Sequence, residues 1–365
     1  MKVGILTFQG ANNYGAFLQC YALYKKINEY SGVEAEVVDY ICPAIENDYK
    51  PINILRKKNN LVKKAITYFV RKPVMERVQK VFQSERDVFF KMKYKRLSKI
   101  DLQIIEKEFD TFIVGSDQVW NAKLTNDDRT YFLDFVSSKQ KKNSYAASIG
   151  NFDFNDIRKK QLEADLNAFN RLSVREESAA DAVSMITGRT DVVTCIDPVF
   201  LYNKKEWEND LILPRDEDYV FFFCIGNPLE ETLRFAKTIA EKNRKRLLFL
   251  SDKDIPYKHL EIKHLYGIGP MEFLGYIYNA YCVITNSFHA TAFSMILHKQ
   301  FYVETCVKRN ERIKNLLEIA ELKTRGLVKG KLDVANDSIE WSKVDYNLAP
   351  FIQKSITYLE EIIDN

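Results

Sequence analysis

Apolar strands and amphipathic helices alternate along this chain in two successive rounds, and this alternation limits the folds available to it. The first round opens with a strand at residues 3–8, a helix at 16–30 and a strand at 35–40. The second opens with a strand at 219–225 and a helix at 230–242. Such alternation favours parallel sheets covered by helices. We therefore predict an α/β protein with two Rossmann-like domains that face a cleft.

The chain has 365 residues, which is too long for one ordinary hydrophobic core and fits two domains. We predict an N-terminal domain at 1–202, with a basic helical excursion at 50–98. A C-terminal domain follows at 203–348, and its first residues form a polar link between the two domains. A closing helix at 349–365 is expected to pack back on the first domain.

Positive charge is concentrated in one segment, residues 56–96, which holds fourteen Lys or Arg and three acids. The segment is therefore +11, and since the whole chain is +4, the remainder is −7. A basic amphipathic element can lie on an anionic membrane surface, which would make the protein peripheral at the inner face of the membrane. A solvated helical excursion explains the same pattern and is the favoured interpretation. No nucleic-acid-binding pattern is present, so we expect no nucleic-acid partner.

The cysteine pattern predicts reduced thiols in a cytoplasmic protein and no metal site, and we expect no cofactor. None of the six forms a CxxC pair or has metal-ligand spacing with the four histidines. The first residues suit a strand better than a signal peptide, and no segment has transmembrane length. The six are Cys20, Cys42, Cys195, Cys224, Cys282 and Cys306.

A short apolar strand at 282–284 passes directly into polar residues and then into a helix. Asn286 and Ser287 come at the handover, and His289 and Thr291 fall in the first helical turn. A helix N-terminus offers free N–H groups and a positive dipole end, which together favour an anion. The alternative is that the polar residues only cap the helix and that His289 is a filler.

A second polar cluster follows the strand at 112–114. Gly115 allows a tight turn, and Ser116 and Asp117 are presented at the carboxyl end of the strand. Trp120 and Asn121 then predict an aromatic wall with a polar group beside it. An ordinary helix cap is the alternative role for the aspartate.

The loop between the first strand and the first helix can hold a substrate oxygen. Asn12 and Asn13 could donate amide hydrogen bonds there, and Gly15 allows close approach. The loop lacks the GxGxxG spacing and the P-loop lysine, so a dinucleotide site is weakly indicated. Both asparagines could equally be turn residues.

Arginines at predicted strand ends are candidate anion ligands. Arg175 ends the strand at 172–175 and could bind a carboxylate or a phosphate through two nitrogens. Its alternative is an ion pair with an acid such as Glu176 or Asp197. Arg312 follows another strand, beside Lys308 and Arg309, for which a solvated loop is favoured. No metal or Ser-His-Asp motif is present, so we expect an anion-binding, acid–base site.

Together these segments resemble the polysaccharide pyruvyl transferase family over residues 1 to about 320, in order. The matching motifs are NNYGA (12–16), FDTFIVGSDQVWN (109–121), SYAASIG (144–150), SVREES (173–178), DP (197–198), GPMEFL (269–274) and ITNSFHAT (284–291). The resemblance implies a GT-B-type fold with an acceptor side in the first domain and a donor side in the second. It implies transfer of the enolpyruvyl group of phosphoenolpyruvate to a sugar acceptor, which can be lipid-linked, with formation of a pyruvate ketal and release of phosphate.

The resemblance also implies roles for individual residues. Arg175 would hold the donor carboxylate or phosphate, His289 would be the general acid, and Asp117 would take a proton from the sugar hydroxyl. Some family members carry arginine two residues before the histidine, where this chain has Ser287. Positive charge must then come from Arg175 and Arg312.

Two other functions remain open at this point. A GT-B glycosyltransferase that uses a nucleotide sugar would also bind a diphosphate at a helix N-terminus. A non-catalytic protein that binds a glycan or a membrane surface would use the basic segment instead.

Overall fold

A computed structural model describes residues 1–50, 61–150, 156–251, 262–305, 311–328 and 338–364. The strands are β1 (Lys2–Leu6), β2 (Glu34–Val37), β3 (Thr111–Val114), β4 (Lys142–Ser144), β5 (Ser173–Val174), β6 (Val193–Thr194), β7 (Tyr219–Cys224), β8 (Arg246–Ser251), β9 (Lys263–His264), β10 (Cys282–Thr285), β11 (Phe301–Glu304) and β12 (Gly326–Leu327). The α-helices are α1 (Tyr14–Asn28), α2 (Pro43–Asp48), α3 (Leu61–Phe89), α4 (Lys99–Ile105), α5 (Ala122–Thr125), α6 (Asp156–Asn167), α7 (Glu177–Thr187), α8 (Lys204–Asp210), α9 (Glu230–Lys242), α10 (Pro270–Asn279), α11 (Phe288–Ile296), α12 (Glu311–Ile319) and α13 (Trp341–Ile363).

The chain divides into two compact units. Unit 1 comprises Met1–Asn53, Arg86–Tyr202 and Phe351–Asn365, and unit 2 comprises Ile54–Glu85 and Asn203–Pro350. Most of α3 therefore groups with unit 2, whereas the sequence order alone had placed the whole basic excursion in the first domain.

The main sheet of unit 1 is parallel, with strand order β2-β1-β3-β4. Its inner strand residues are fully buried, and α13 packs on one face with Tyr358 and Leu359 against Val3, Ile5 and Ile113. The chain leaves β1 in both directions, to β2 and later to β3. The carboxyl ends of β1 and β3 therefore define a topological switch point, where α/β sheets bind ligands.

Unit 2 has a parallel sheet of six strands in the order β12-β11-β10-β7-β8-β9. From β7 the chain adds β8 and β9 on one side of the sheet. It then adds β10, β11 and β12 on the other side, with β10 next to β7. This is the doubly wound order of a nucleotide-binding Rossmann domain, with its switch point between β7 and β10. Leu233 and Ala236 of α9 cover one face, and Phe273 of α10 packs on Phe221 and Phe223 of the other.

Several strands are shorter than the apolar runs suggested. The run at 143–148 forms a regular strand only as far as Ser144, because Ala146 has a φ of 48°. A left-handed residue cannot continue a regular strand. The chain then continues through the single bridges Asp117↔Ala147 and Ala147↔Val174.

Candidate functional site

The switch point of unit 2 is held by a side chain. Asn286 follows β10, and its Oδ1 accepts the backbone N–H of Ile225, 2.7 Å away. Its Nδ2 donates to the Ile225 carbonyl at 3.0 Å. The amide thus ties the end of β10 to the end of β7, which is a structural role rather than the predicted substrate contact.

The N-terminus of α11 opens at this point. Ser287 is its N-cap, with Oγ accepting from Ala290 N at 3.4 Å. Thr291 is fully buried, and its hydroxyl donates to the Ser287 carbonyl at 2.8 Å. Both hydroxyls therefore serve the helix itself, as the capping alternative proposed.

His289 and Arg312 meet at the first turn of α11 through Phe288. The His289 ring lies edge-on to the Phe288 ring, with centroids 5.3 Å apart. The Arg312 guanidinium lies over the same ring, 5.7 Å from its centroid. A half-buried imidazole and a cation therefore flank a helix N-terminus, which is a favourable setting for an anion.

The switch point of unit 1 carries a strained aspartate. Asp117 has a φ of 72°, a conformation that costs a residue with a side chain about 1–2 kcal/mol. Its carbonyl accepts from Val119 and Ser148, each at 2.9 Å, and its Oδ1 accepts from Gln118 N at 2.8 Å. Asp117 is only partly buried, so this polar residue lies within reach of solvent at the carboxyl end of the sheet.

Arg175 is engaged in a buried network. One of its terminal nitrogens donates to Asp197 at 2.6 Å and to Ser116 Oγ at 3.3 Å, and Nε donates to Glu176 at 3.2 Å. Burial alone would lower the pKa of Arg175, but the carboxylates of Glu176, Asp197 and Asp117 outweigh it and raise the pKa. The side chain is 4% exposed, so the ion-pair alternative replaces the predicted role as a substrate ligand.

This cluster of unit 1 has more negative than positive charge. Asp117, Glu176 and Asp197 supply three carboxylates against the single guanidinium of Arg175. Ser116 is also fully buried, and its hydroxyl donates to Asp197 at 3.2 Å. The cluster therefore suits hydroxyl groups better than a phosphate.

The β1–α1 loop has local structural roles. Asn13 is the N-cap of α1, with Oδ1 accepting from Ala16 N at 3.1 Å, and Gly15 lies within that helix. Asn12 Oδ1 accepts from both terminal nitrogens of the buried Arg86 at 3.4 Å. Asn13 is therefore a helix cap with extended backbone, and neither asparagine has the left-handed conformation of the turn-residue alternative.

The predicted aromatic wall is wrong. Trp120 is 2% exposed, stacks on Phe132 and donates its indole N–H to the Tyr131 carbonyl at 2.8 Å. A large apolar ring next to a buried strand gains more from the core than from solvent. Asn121 caps α5 and donates to Gln118 Oε1 at 2.7 Å.

Much of the described positive charge in the basic segment is paired within the protein. Arg86 is buried, and Lys72 lies 3.8 Å from Glu76. The lysines and arginine at the end of the segment pair with acids that lie mostly outside it. These pairs are Lys91–Glu34, Lys93–Glu108, Lys95–Asp87 and Arg96–Glu46.

Sequence reasoning missed several polar residues that hold these sites. Thr7, Gln19 and Ser148 are buried in unit 1, and Glu85 of α3 is half-buried in unit 2. The available signal was a polar residue inside an otherwise apolar run, as with Gln19 between Leu18 and Cys20. Lys308, Arg309, Cys306 and residues 51–60 lie outside the described residues.

Within the described ranges, no group of three His, Cys, Asp or Glu side chains is arranged to hold a metal ion. No described helix combines the length and the apolar character needed to span a bilayer.

The sequence pattern of the polysaccharide pyruvyl transferase family matches residues 13–305, which is most of the chain. The chain belongs to this family. No curated protein sequence matches it.

Solved structures share the fold of this pyruvyl transferase family member at low identity. A crystal structure of UDP-N-acetylglucosamine 2-epimerase superposes with a TM-score of 0.58 at 11% identity, covering 100% of this chain and 95% of its own. The S. aureus MnaA–UDP structure gives 0.52 at 12%, covering 100% and 88%. The Methanocaldococcus jannaschii UDP-GlcNAc 2-epimerase with UDP-GlcNAc and UDP gives 0.51 at 14%, covering 100% and 99%. The predicted α/β class and GT-B-like fold are thereby confirmed.

Proposed function

We propose that the protein transfers the enolpyruvyl group of phosphoenolpyruvate to a sugar of a cell-surface polysaccharide precursor, with formation of a cyclic pyruvate ketal and release of phosphate. Membership of the pyruvyl transferase family over residues 13–305 carries this proposal. The histidine in the first turn of α11 supports it. The donor is a substrate, and no cofactor is required.

Donor binding is assigned to unit 2. Phosphoenolpyruvate carries a carboxylate and a phosphate, so its site must supply positive potential and N–H donors. The N-terminus of α11 supplies both, and Arg312 adds a full charge beside Phe288. Arg175 is not assigned to the donor, because its charge is already balanced by buried carboxylates.

The acceptor hydroxyl is assigned to Asp117. The carboxylate takes the hydroxyl proton as the sugar oxygen bonds to C2 of phosphoenolpyruvate, while His289 as imidazolium gives a proton to the methylene carbon. The bond between C2 and the bridging phosphate oxygen then breaks, and phosphate leaves with the bonding electrons and takes the proton held by Asp117. A second hydroxyl of the same sugar attacks C2 and loses its proton to the neutral His289, which closes the ketal.

Calorimetric titration of phosphoenolpyruvate tests the donor assignment. We expect wild type to bind and Arg312→Ala to bind about tenfold to a hundredfold more weakly, because a hydrogen bond to a charged group contributes about 1.5–3 kcal/mol. The matched control is Lys314→Ala, which removes the same charge from an exposed position of α12. Equal affinity in all three proteins would show that Arg312 does not bind the donor. If wild type does not bind phosphoenolpyruvate, the assignment of phosphoenolpyruvate as the donor is wrong.

A glycosyltransferase that uses a nucleotide sugar is the second candidate. The doubly wound order of the unit 2 sheet favours it, because that order suits nucleotides. Thermal stabilisation by UDP or GDP, without stabilisation by phosphoenolpyruvate, would place this candidate first.

A further inference from the structure

Two fully buried polar side chains reach the strained turn of unit 1 from β1 and α1. Thr7 directly follows β1, and its hydroxyl donates to the Ser116 carbonyl at 3.0 Å. Gln19 of α1 donates through Nε2 to Thr7 Oγ1 at 2.9 Å. Gln19, Thr7 and Ser116 are each 0% exposed. A short chain of hydrogen bonds thus runs from the middle of α1 to the residue before Asp117.

The orientation of the Gln19 amide is fixed by its partners. Nε2 also donates to the Ala16 carbonyl at 3.0 Å, so both of its hydrogens point to acceptors. Oε1 then has no hydrogen-bond partner among the described residues, although it is buried. A buried acceptor without a partner costs free energy. A leucine at this place in an apolar helix face would avoid that cost.

The Ser116 residue is held at two points. Its carbonyl accepts from Thr7, and its hydroxyl contacts Asp197 and Arg175. A strained backbone persists only where its surroundings determine it. Since Asp117 has a φ of 72°, the Thr7 contact on the preceding peptide is one of the constraints that hold it.

We propose that Gln19 and Thr7 are positioning residues that hold the Ser116–Asp117 turn in the conformation needed for proton transfer by Asp117. The role in proton transfer rests on the proposed pyruvyl transfer, whereas control of the turn does not. A costly buried glutamine that supports a strained aspartate at a switch point is the arrangement expected where stability is given up for site geometry.

Amide hydrogen exchange with mass spectrometry measures the turn without any need for turnover. The reporters are the Gln118, Val119 and Ser148 amides, which all donate to Asp117. The variants are Gln19→Leu and Thr7→Val, with Thr7→Ser retaining the hydroxyl. The matched control is Gln9→Leu, because Gln9 is also fully buried with an unpartnered Oε1 but donates to the Tyr40 carbonyl instead.

We expect exchange of these amides to rise about tenfold or more in Gln19→Leu and Thr7→Val, and to stay at the wild-type rate in Thr7→Ser and Gln9→Leu. The Tm of Gln19→Leu should not fall. Turnover of phosphoenolpyruvate with a panel of p-nitrophenyl hexosides should fall roughly tenfold to a hundredfold in kcat, with KM for phosphoenolpyruvate unchanged.

Unchanged exchange in both Gln19→Leu and Thr7→Val would overturn the proposal. The proposal would also be overturned if Gln19→Leu lowered the Tm and the Gln9→Leu control showed an equal rise in amide exchange. Gln19 would then be a packing residue only. If wild type turns over none of the sugars, the pyruvyl transfer fails on its own account, and the exchange result still decides whether Gln19 holds the turn.

Discussion

A carboxylate from α3 caps α10, a helix of unit 2 that is distant in the sequence. Glu85 Oε2 accepts the backbone N–H of Met271, in the first turn of α10, at 3.0 Å. The N-cap of α10 is Gly269, which has no side chain to do this. A Cβ at Gly269 would overlap Glu85 Oε1, so the glycine makes the contact possible.

Burial raises the pKa of Glu85 to about 7, with repulsion from Glu272 in the same direction, and the Met271 N–H opposes the change only in part. Burial also raises the pKa of Glu272, which Arg77 of α3 lowers somewhat. Because the folded pKa of Glu85 lies above the unfolded one, its contribution to stability is fully present below pH 4.5. It is lost as the pH rises through about 7.

We predict that Glu85→Gln removes this loss. Glutamine keeps an acceptor for the Met271 N–H but cannot ionise. A change in pKa from 4.5 to about 7 corresponds to about 3 kcal/mol, and solvent screening of the partly buried side chain reduces this to about 1–2 kcal/mol. Relative to wild type, the variant should therefore gain about 2–8 °C in Tm between pH 5 and pH 8.

The assay is thermal unfolding of both proteins at pH 5, 6, 7 and 8. The control is Glu230→Gln, an exposed carboxylate in the first turn of α9, which changes the same charge at a helix N-terminus. Its difference from wild type should not follow this pH profile. A Tm difference for Glu85→Gln that stays constant with pH would refute the reasoning. A variant that becomes less stable above pH 7 would show that the helix dipole outweighs burial.

Three further predictions concern other contacts. His289→Gln should lower turnover about a hundredfold or more without lowering Tm, as measured by phosphate release, because it removes the proposed proton donor. Asp197→Asn should destabilise unit 1 by about 1–3 kcal/mol in urea unfolding, because the buried Arg175 guanidinium loses one charged partner while Glu176 still pairs with it. Gly269→Ala should lower the free energy of unfolding by about 1–3 kcal/mol in wild type and by less in a protein that already carries Glu85→Ala. A double-mutant cycle measures this coupling.

The alternation of strands and helices was sufficient to predict the fold class. Buried strands such as β7 and β10 are continuous apolar runs, and the helices between them repeat with helical spacing, so each element is specified locally. Element ends were less well predicted. No local pattern indicates the left-handed backbone of Ala146 or the continuation of α13 through Pro350, since alanine disfavours a positive φ and proline disfavours a helix interior.

The sequence by itself determined the order of elements, the parallel sheets and the presence of polar residues at strand ends, because periodicity and turn chemistry act over a few residues. Only the tertiary structure decided which of those residues are engaged. Arg175 meets Asp197 and Glu176, and Trp120 enters the core, because distant segments converge there. Partners of buried charges are set by which strands become neighbours, and that pairing is not encoded in any single stretch of sequence.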